Sequence, residues 1–162
     1  GLEKRSEAMK KNPNPKFLEI GCGSGIQLKI ALNFGIKKQN IFSCDIDDNA
    51  VEHCRKLGFN CVNSDLFSNI KGRFDIIIFN PPYLPLDAQE PSTSKISTTG
   101  GKRGSEIANK FLKHAKSHLN KHGKIILLAS SLTKGINFLD YHKKILAEKK
   151  LFFEKLLVFE LS

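Results

Sequence analysis

The sequence predicts a doubly wound α/β fold, a mostly parallel sheet with helices on both faces. Three observations carry this. Short apolar strands alternate with helical stretches along most of the chain, the pattern of strand–helix–strand crossovers. A glycine-rich turn, Gly21-Cys22-Gly23-Ser24-Gly25, runs straight from the first strand into the first helix. The chemically distinctive residues (that turn, Asp45, Asp65 and Asn80-Pro81-Pro82-Tyr83) all stand at strand C-termini, where ligands of such sheets bind.

Taken in order, Gly1–Lys11 is a polar, helix-capable lead-in broken by Asn12-Pro13-Asn14-Pro15. Gly1 in place of an initiator Met reads as a trimmed start. Phe17–Ile20 is a short apolar strand, and Ile26–Phe34 a helix mostly buried on the sheet and stopped by Gly35. Ile41–Cys44 is the second strand, ending at Asp45. Asn49–Leu57 is a helix closed by Gly58, and Phe59–Val62 a third strand followed by Asp65. Arg73–Phe79 is the fourth strand, and two prolines after Asn80 force the chain to turn. Leu84–Gly104 is a long loop rich in Pro, Ser, Thr and Gly, a composition and length typical of functional or mobile segments. Ser105–Leu119 is an amphipathic helix closed by Gly123, and Lys124–Ala129 a fifth strand. Leu132–Asp140 is expected to hold a short helix and the remainder, especially Phe152–Leu161, terminal strands.

The 162 residues and 18.1 kDa fit one domain over 1–162, with 1–15 as a lead-in. The longest apolar runs, Ile76–Phe79 and Ile125–Ala129, fall far short of the ~20 residues a membrane span needs. The start is polar and lysine-rich, unlike a secretion signal, so a cytoplasmic location is expected. A formal charge of +10 favours an anionic partner such as RNA, DNA or a ribosome-associated protein, or simply makes a solvated basic surface. Cys22, Cys44, Cys54 and Cys61 form no CxxC pair and read as small buried thiols. His114, His118 and His122 recur at helical spacing, but His122 adjoins Gly123 and no carboxylate joins them, so no metal is expected.

The turn Gly21–Gly25 lets backbone approach a ligand closely. Nicotinamide folds use a related turn, but the GxGxxG spacing is missing and Glu19 stands two positions before Gly21, which favours S-adenosylmethionine. The bland alternative is a turn that only packs helix on strand. Asp45, 20 residues beyond Gly25, can accept hydrogen bonds from both ribose hydroxyls. Asp47 and Asp48 are rivals better placed in the first turn of the next helix. Ile46 can cover an adenine face, and Asp65 can accept from its amino group beside the Leu66 backbone, unless Asp65 is only a cap. In Asn80-Pro81-Pro82-Tyr83, the Asn80 side-chain oxygen and Pro81 carbonyl can accept both N–H groups of a planar amide or amine. Tyr83 can stack on that group, so the site acts by positioning rather than by a strong base.

In that order, Glu19–Gly25, Asp45, Asp65 and Asn80–Tyr83 resemble the class I S-adenosylmethionine-dependent methyltransferases with an NPPY signature. Ser64–Phe67, Arg73–Tyr83 and Gly100-Gly101-Lys102-Arg103-Gly104 are similar to the HemK/PrmC-type release-factor glutamine methyltransferases, in their short eukaryotic and archaeal form. The resemblance covers roughly residues 16–161 and implies a Rossmann-like sheet with an antiparallel terminal strand. It also implies a cofactor site of Glu19, Gly21, Cys22, Gly23, Gly25, Asp45, Ile46, Asp65, Leu66 and Asn80. Asn80, Pro81 and Tyr83 would be catalytic, and Asn80–Tyr83 with Gly100 and Gly101 would meet the substrate. Family members carry a longer segment before the first strand that helps close the pocket; the 16 residues here read as trimmed or divergent.

The function expected from this resemblance is methylation of a glutamine side-chain amide, in the Gly-Gly-Gln loop of a peptide chain release factor. N-methylation of an exocyclic base amine in RNA or DNA uses the same geometry on a flipped base. A non-catalytic module that keeps the fold is the third alternative. The family strand order puts Phe59–Val62 at a sheet edge, where a small zinc-binding activator subunit is expected to pair.

Overall fold

The structure is a computed structural model and describes residues 12–82 and 104–162. Along the chain come β1 (Phe17–Ile20), α1 (Ile26–Asn33), β2 (Ile41–Asp45), α2 (Asp48–Lys56), β3 (Asn60–Asn63) and β4 (Phe74–Phe79). Then follow α3 (Glu106–Ala115), β5 (Leu119–Ser130), β6 (Lys143–Lys150) and β7 (Lys155–Leu161).

β1 is buried at all four positions because it has strands on both sides and a packed layer on each face. It pairs in parallel with β2 (Phe17 opposite Ile41) and with β4 (Phe17 opposite Ile76). The sheet order is β3-β2-β1-β4-β5-β7-β6. The chain therefore builds outward from β1 to β3, then returns and builds the other way from β4. That reversal opens a crevice at the carboxyl ends of β1 and β4.

Strand alternation sorts side chains into two cores. On one face Leu18, Ile20, Ile77, Phe79 and Leu127 pack under α3, whose Ala108, Phe111, Leu112 and Ala115 form its buried stripe. Phe111 is fully buried, with its ring 4.6 Å from Phe79 and 5.3 Å from Phe67. On the other face Phe17, Ile41 and Cys61 pack against Leu28 and Ala31 of α1 and Val51 and Cys54 of α2. β7 runs antiparallel to both β5 and β6, so it is the expected antiparallel terminal strand.

Several expectations need correction. The fourth helix-like stretch does not reach Leu119: α3 ends at Ala115, a 3-10 turn covers Lys116–His118, and β5 already starts at Leu119. Gly123 is thus inside β5. Phe74 pairs with Leu119 and Ile76 with Lys124, so Asn120–Gly123 bulge opposite the single residue Asp75, with His122 at φ 70. A Cβ on Gly123 would lie 2.9 Å from the Phe74 carbonyl oxygen and 3.0 Å from that of Asn120, which explains the glycine. His114, His118 and His122 consequently share no helix face. Residues 132–140 hold no helix, running as irregular backbone between two turns. Phe152 and Phe153 lie between β6 and β7, not in a strand. Of the terminal strands, β6 occupies Lys143–Lys150, before the stretch Phe152–Leu161, and β7 starts at Lys155; the other bounds shift by at most one residue, as fraying element ends commonly do. The loop Leu84–Gly104 lies, except for Gly104, outside the described residues. No helix among those residues is long and apolar enough to cross a membrane.

Gly123→Ala should lower unfolding free energy by about 1–3 kcal/mol, because the backbone of β4 must shift to admit the methyl group. Urea denaturation checks this, and an unchanged midpoint would refute the close approach.

Candidate active site

A cleft of about 540 Å³ opens at the strand-order reversal. Gly21 and Gly23 (after β1), Asp45, Ile46 and Asp47 (at and after the end of β2), and Ser64, Asp65 and Leu66 (after β3) line it. Ile20 of β1, Ala50 of α2, Phe79, Asn80 and Pro82 at the end of β4, and Ile107 and Lys110 of α3 also line it.

The glycine turn is held by β2. The amides of Gly21 and Cys22 both donate to the Cys44 carbonyl (2.8 and 3.0 Å), and the Gly23 amide donates to Asp45 Oδ2 (2.9 Å). Gly25 closes the turn onto the Cys22 carbonyl (2.7 Å). Those four amides therefore have protein acceptors, and none is left open for a pyrophosphate. The turn instead offers space: a Cβ on Gly23 would meet nothing within 4 Å, and at Gly21 (φ 72) only the Phe79 ring edge at 3.8 Å. Gly25 (φ 72) is hemmed in behind, where a Cβ would lie 3.2 Å from Cys54 Sγ and 3.3 Å from Leu57.

Asp45 is doubly used, since its Oδ1 also accepts the Asp47 amide (3.0 Å). Asp47 is the N-cap of α2, accepting from the Asn49 amide (2.9 Å), and Asp48 accepts from Asn63 Nδ2 (2.8 Å). Ile46 is 56% exposed on the cleft wall, a large apolar surface facing an open site. Asp65 caps no helix; its Oδ2 lies 2.5 Å from Lys110 Nζ. Leu66 takes φ 50 because its carbonyl turns inward to accept from Ser64 Oγ (2.8 Å) and Cys44 Sγ (3.4 Å).

Glu19 stands behind the cleft rather than in its lining. It is 5% exposed, and its Oε2 has no hydrogen-bond partner among the described residues. Burial, then the charges of Asp45 and Cys61, push its carboxyl up to about 8. Cys22 turns its side chain away from the cleft, into the core. Its Sγ lies 3.4 Å from Cys61 Sγ, and this hydrogen bond raises Cys22 while lowering Cys61 to about 7.

Asn80 is exposed on the cleft wall, Pro81 is buried, and Pro82 is half-buried in the lining. Tyr83, Gly100 and Gly101 lie outside the described residues. Among the expected cofactor residues, the cleft thus unites Gly21, Gly23, Asp45, Ile46, Asp65, Leu66 and Asn80, with Glu19, Cys22 and Gly25 supporting it from behind. Three features were not foreseen. Lys110 and Ile107 reach the cleft from α3, 45 and 42 positions past Asp65, with nothing local in the sequence to announce them. Cys22, Cys54 and Cys61 bring three buried thiols within 4.8 Å of one another, a ligand number that could hold a soft metal ion.

An S-adenosyl cofactor fits this cleft. The open turn at Gly21–Gly23 admits close approach, the walls carry Asp45 and Asp47 to suit a cation, and Asp45 and Asp65 offer acceptors to ribose and adenine.

The methyltransferase small domain model matches residues 6–149. A Methanocaldococcus jannaschii protein provisionally named a protein N5-glutamine methyltransferase is 37% identical over 159 residues, spanning 90% of this chain and 80% of that protein. Ribosomal RNA small subunit methyltransferase C of Escherichia coli is 33% identical over 131 residues. That match spans 77% of this chain but only 34% of the enzyme. Among solved structures, the E. cuniculi Mtq2–Trm112 complex, responsible for methylating the translation termination factor eRF1, superposes with TM-score 0.71 at 22% identity. The overlap covers 96% of this chain and 90% of that one, a likeness of fold.

Because Glu19 keeps its proton to about pH 8 when folded and loses it near 4.5 when unfolded, it favours folding at pH 4 and ceases to as pH rises through 8. Glu19→Gln should remove this slope, worth on the order of a few kcal/mol between pH 5 and 8. Melting temperatures of both proteins across that range test it; parallel curves would sink the assignment.

Proposed function

The chain belongs to the methyltransferase small domain family and is a methyltransferase whose methyl donor is S-adenosylmethionine, and from that premise we propose that its acceptor is the side-chain amide nitrogen of a glutamine in a peptide chain release factor. The observation that carries this is Asn80, held at the end of β4 on the same cleft wall as the glycine turn and Asp45, within Asn80-Pro81-Pro82-Tyr83. Its support from relatives is the 37% identity to the M. jannaschii protein.

The bound cofactor supplies a methyl group on a positively charged sulfur, already electrophilic. The protein's task is then to hold a poor nucleophile in line. Asp45 would hold the ribose, Asp65 and the Leu66 backbone the adenine edge, and Ile46 one adenine face. Asn80 Oδ1 and the Pro81 carbonyl would accept the two amide N–H groups, draw electron density onto the nitrogen and fix its direction of attack. Tyr83 would pack on the amide plane and exclude water, with Gly100 and Gly101 shaping the entry. No strong base is required, since the amide proton leaves after the nitrogen has become cationic.

Base methylation in RNA is the second reading, favoured by the 33% identity to the ribosomal RNA enzymes, although the chain spans about a third of their length. We also propose that a small zinc-binding activator covers β3. The sheet order leaves this strand at an edge, with Asn60 and Asn63 exposed and Cys61 buried beneath it. Such an assembly would work in the cytoplasm, beside the translation machinery.

Asn80→Ala should reduce turnover by about 10²-fold or more and leave cofactor affinity within a few-fold. Asp45→Ala should instead cost about 1.5–3 kcal/mol of cofactor binding, both by loss of a charged acceptor and by release of the Gly23 amide. Calorimetry and labelled methyl transfer to purified release factor, ribosomal RNA and transfer RNA separate these effects. Labelling of RNA alone would replace the glutamine assignment.

A further inference from the structure

Beneath the glycine turn, on the side away from the cleft, three thiols converge. Cys22 comes from the turn, Cys54 from α2 and Cys61 from β3, and their Sγ atoms all lie within 4.8 Å of one another. Cys22 Sγ and Cys61 Sγ are 3.4 Å apart. The three residues are 3%, 0% and 2% exposed, so the sulfurs face one another rather than solvent. The fourth cysteine, Cys44, belongs to the other core, where its Sγ donates to the Leu66 carbonyl (3.4 Å).

The surroundings make room for sulfur and engage it weakly. A Cβ on Gly25 would lie 3.2 Å from Cys54 Sγ, so this glycine leaves free the space that the sulfur fills. Cys22 Sγ reaches the Ala50 carbonyl only at 4.0 Å, and Cys54 Sγ the Gly23 carbonyl at 3.8 Å. Giving up those thiol protons therefore forfeits little. Arg55 Nε donates to the Cys61 carbonyl (2.8 Å), which sets a positive charge beside the sulfurs. Glu19, Ser43 and Cys61 are partners in register across β1, β2 and β3, all buried on one face of the sheet. Glu19 Oε2 has no partner among the described residues, and below about pH 8 its neutral carboxyl adds no negative charge to that row.

The donor set decides the ligand. Sulfurs 3.4 to 4.8 Å apart put a central atom at most about 2.6 Å from each, close to the ~2.3 Å of a metal–thiolate bond. A shift of a few tenths of an ångström closes the site. No histidine or carboxylate joins the three sulfurs among the described residues, so hard ions such as calcium and magnesium are excluded. Structural zinc and iron–sulfur clusters take four ligands, and three buried thiols leave both one short. Copper(I) is soft, is selected by thiolates, and is satisfied by three of them. A disulfide would use two of the three sulfurs and need an oxidant.

We propose that Cys22, Cys54 and Cys61 form a three-coordinate site for copper(I) beneath the glycine turn. The ion enters as copper(I) and remains so. Each copper–sulfur bond replaces a sulfur–hydrogen bond, the protons pass to solvent, and no electron is exchanged. The sulfurs lie just below exposed Gly21, Gly23 and Ser24, so local opening of the turn is the way in. The ion stands behind the cleft, takes no part in methyl transfer, and is independent of the acceptor proposed above.

The test titrates the reduced full chain with copper(I) held by bicinchoninate in oxygen-free buffer, and reads the ion's neighbours by X-ray absorption. One equivalent per chain should leave the chelator and show three sulfur neighbours with no nitrogen or oxygen, while circular dichroism stays native. Cys54→Ala should weaken binding at least ten-fold and lower the count to two sulfurs. Cys22→Ala with Cys61→Ala should abolish binding, and Cys44→Ala should change affinity less than two-fold. Where a variant fails to fold, the sulfur count of the wild-type chain decides alone. No transfer from the chelator, a wild-type count other than three, a like loss in Cys44→Ala, or unfolding on loading would each overturn the site. Two free thiols rather than four in the denatured chain, purified without air or reductant, would assign Cys22 and Cys61 to a disulfide and overturn it as well.

Discussion

The carboxyl end of β2 is the anchor on which the cleft depends. One carbonyl, Cys44, accepts two successive amides of the glycine turn, and one carboxylate, Asp45, accepts a third together with the amide of Asp47, the N-cap of α2. These bonds tie the turn after β1 to its neighbouring strand and fix where the chain re-enters a helix. They also engage the amides of Gly21, Cys22 and Gly23. A glycine turn with open amides would attract phosphate; with these amides engaged, it becomes a smooth and roomy wall for a neutral or cationic group.

Charge is distributed to match. The chain is strongly basic as a whole, yet the cleft lining holds Asp45, Asp47 and Asp65 against one cation among its described residues, Lys110, which leaves Asp45 and Asp47 in excess. That lysine is neutralised by Asp65 and ties α3 to the end of β3. Positive charge instead gathers on the outer strand β6, which carries Lys143, Lys144, Lys149 and Lys150. An acidic interior site and a basic rim are compatible because solvent screens surface charges beyond about 10 Å, whereas the cleft feels its own walls.

The two edges of the sheet differ in how they are protected. β3 is short, four residues, and carries polar Asn60 and Asn63 outward over buried Cys61. β6 is exposed at all eight positions and bears four lysines, a composition that opposes pairing with another copy of itself.

Much of this was legible in the residues alone. The alternation of apolar strands and helices, the glycine turn after Ile20, and the placement of Asp45, Asp65 and Asn80 at strand ends follow from signals a few residues wide, where backbone preference and burial period act locally. The clustering of those ends also follows, since a doubly wound sheet leaves them little choice. What the sequence could not disclose depends on partners far apart in the chain. Gly123 looks like a helix stop until Phe74 is seen to press its carbonyl against it. Lys110 looks like a solvated helix lysine until Asp65, 45 residues earlier, is found beside it. Cys22, Cys54 and Cys61 are unrelated by spacing and meet because the turn, α2 and β3 share one core. Phe152 and Phe153 read as strand residues, since alternation marks a hairpin but not where its register turns. Local chemistry determined the elements; only the closing of the sheet decided which side chains face one another, because that is settled by long-range packing rather than by any neighbour in sequence.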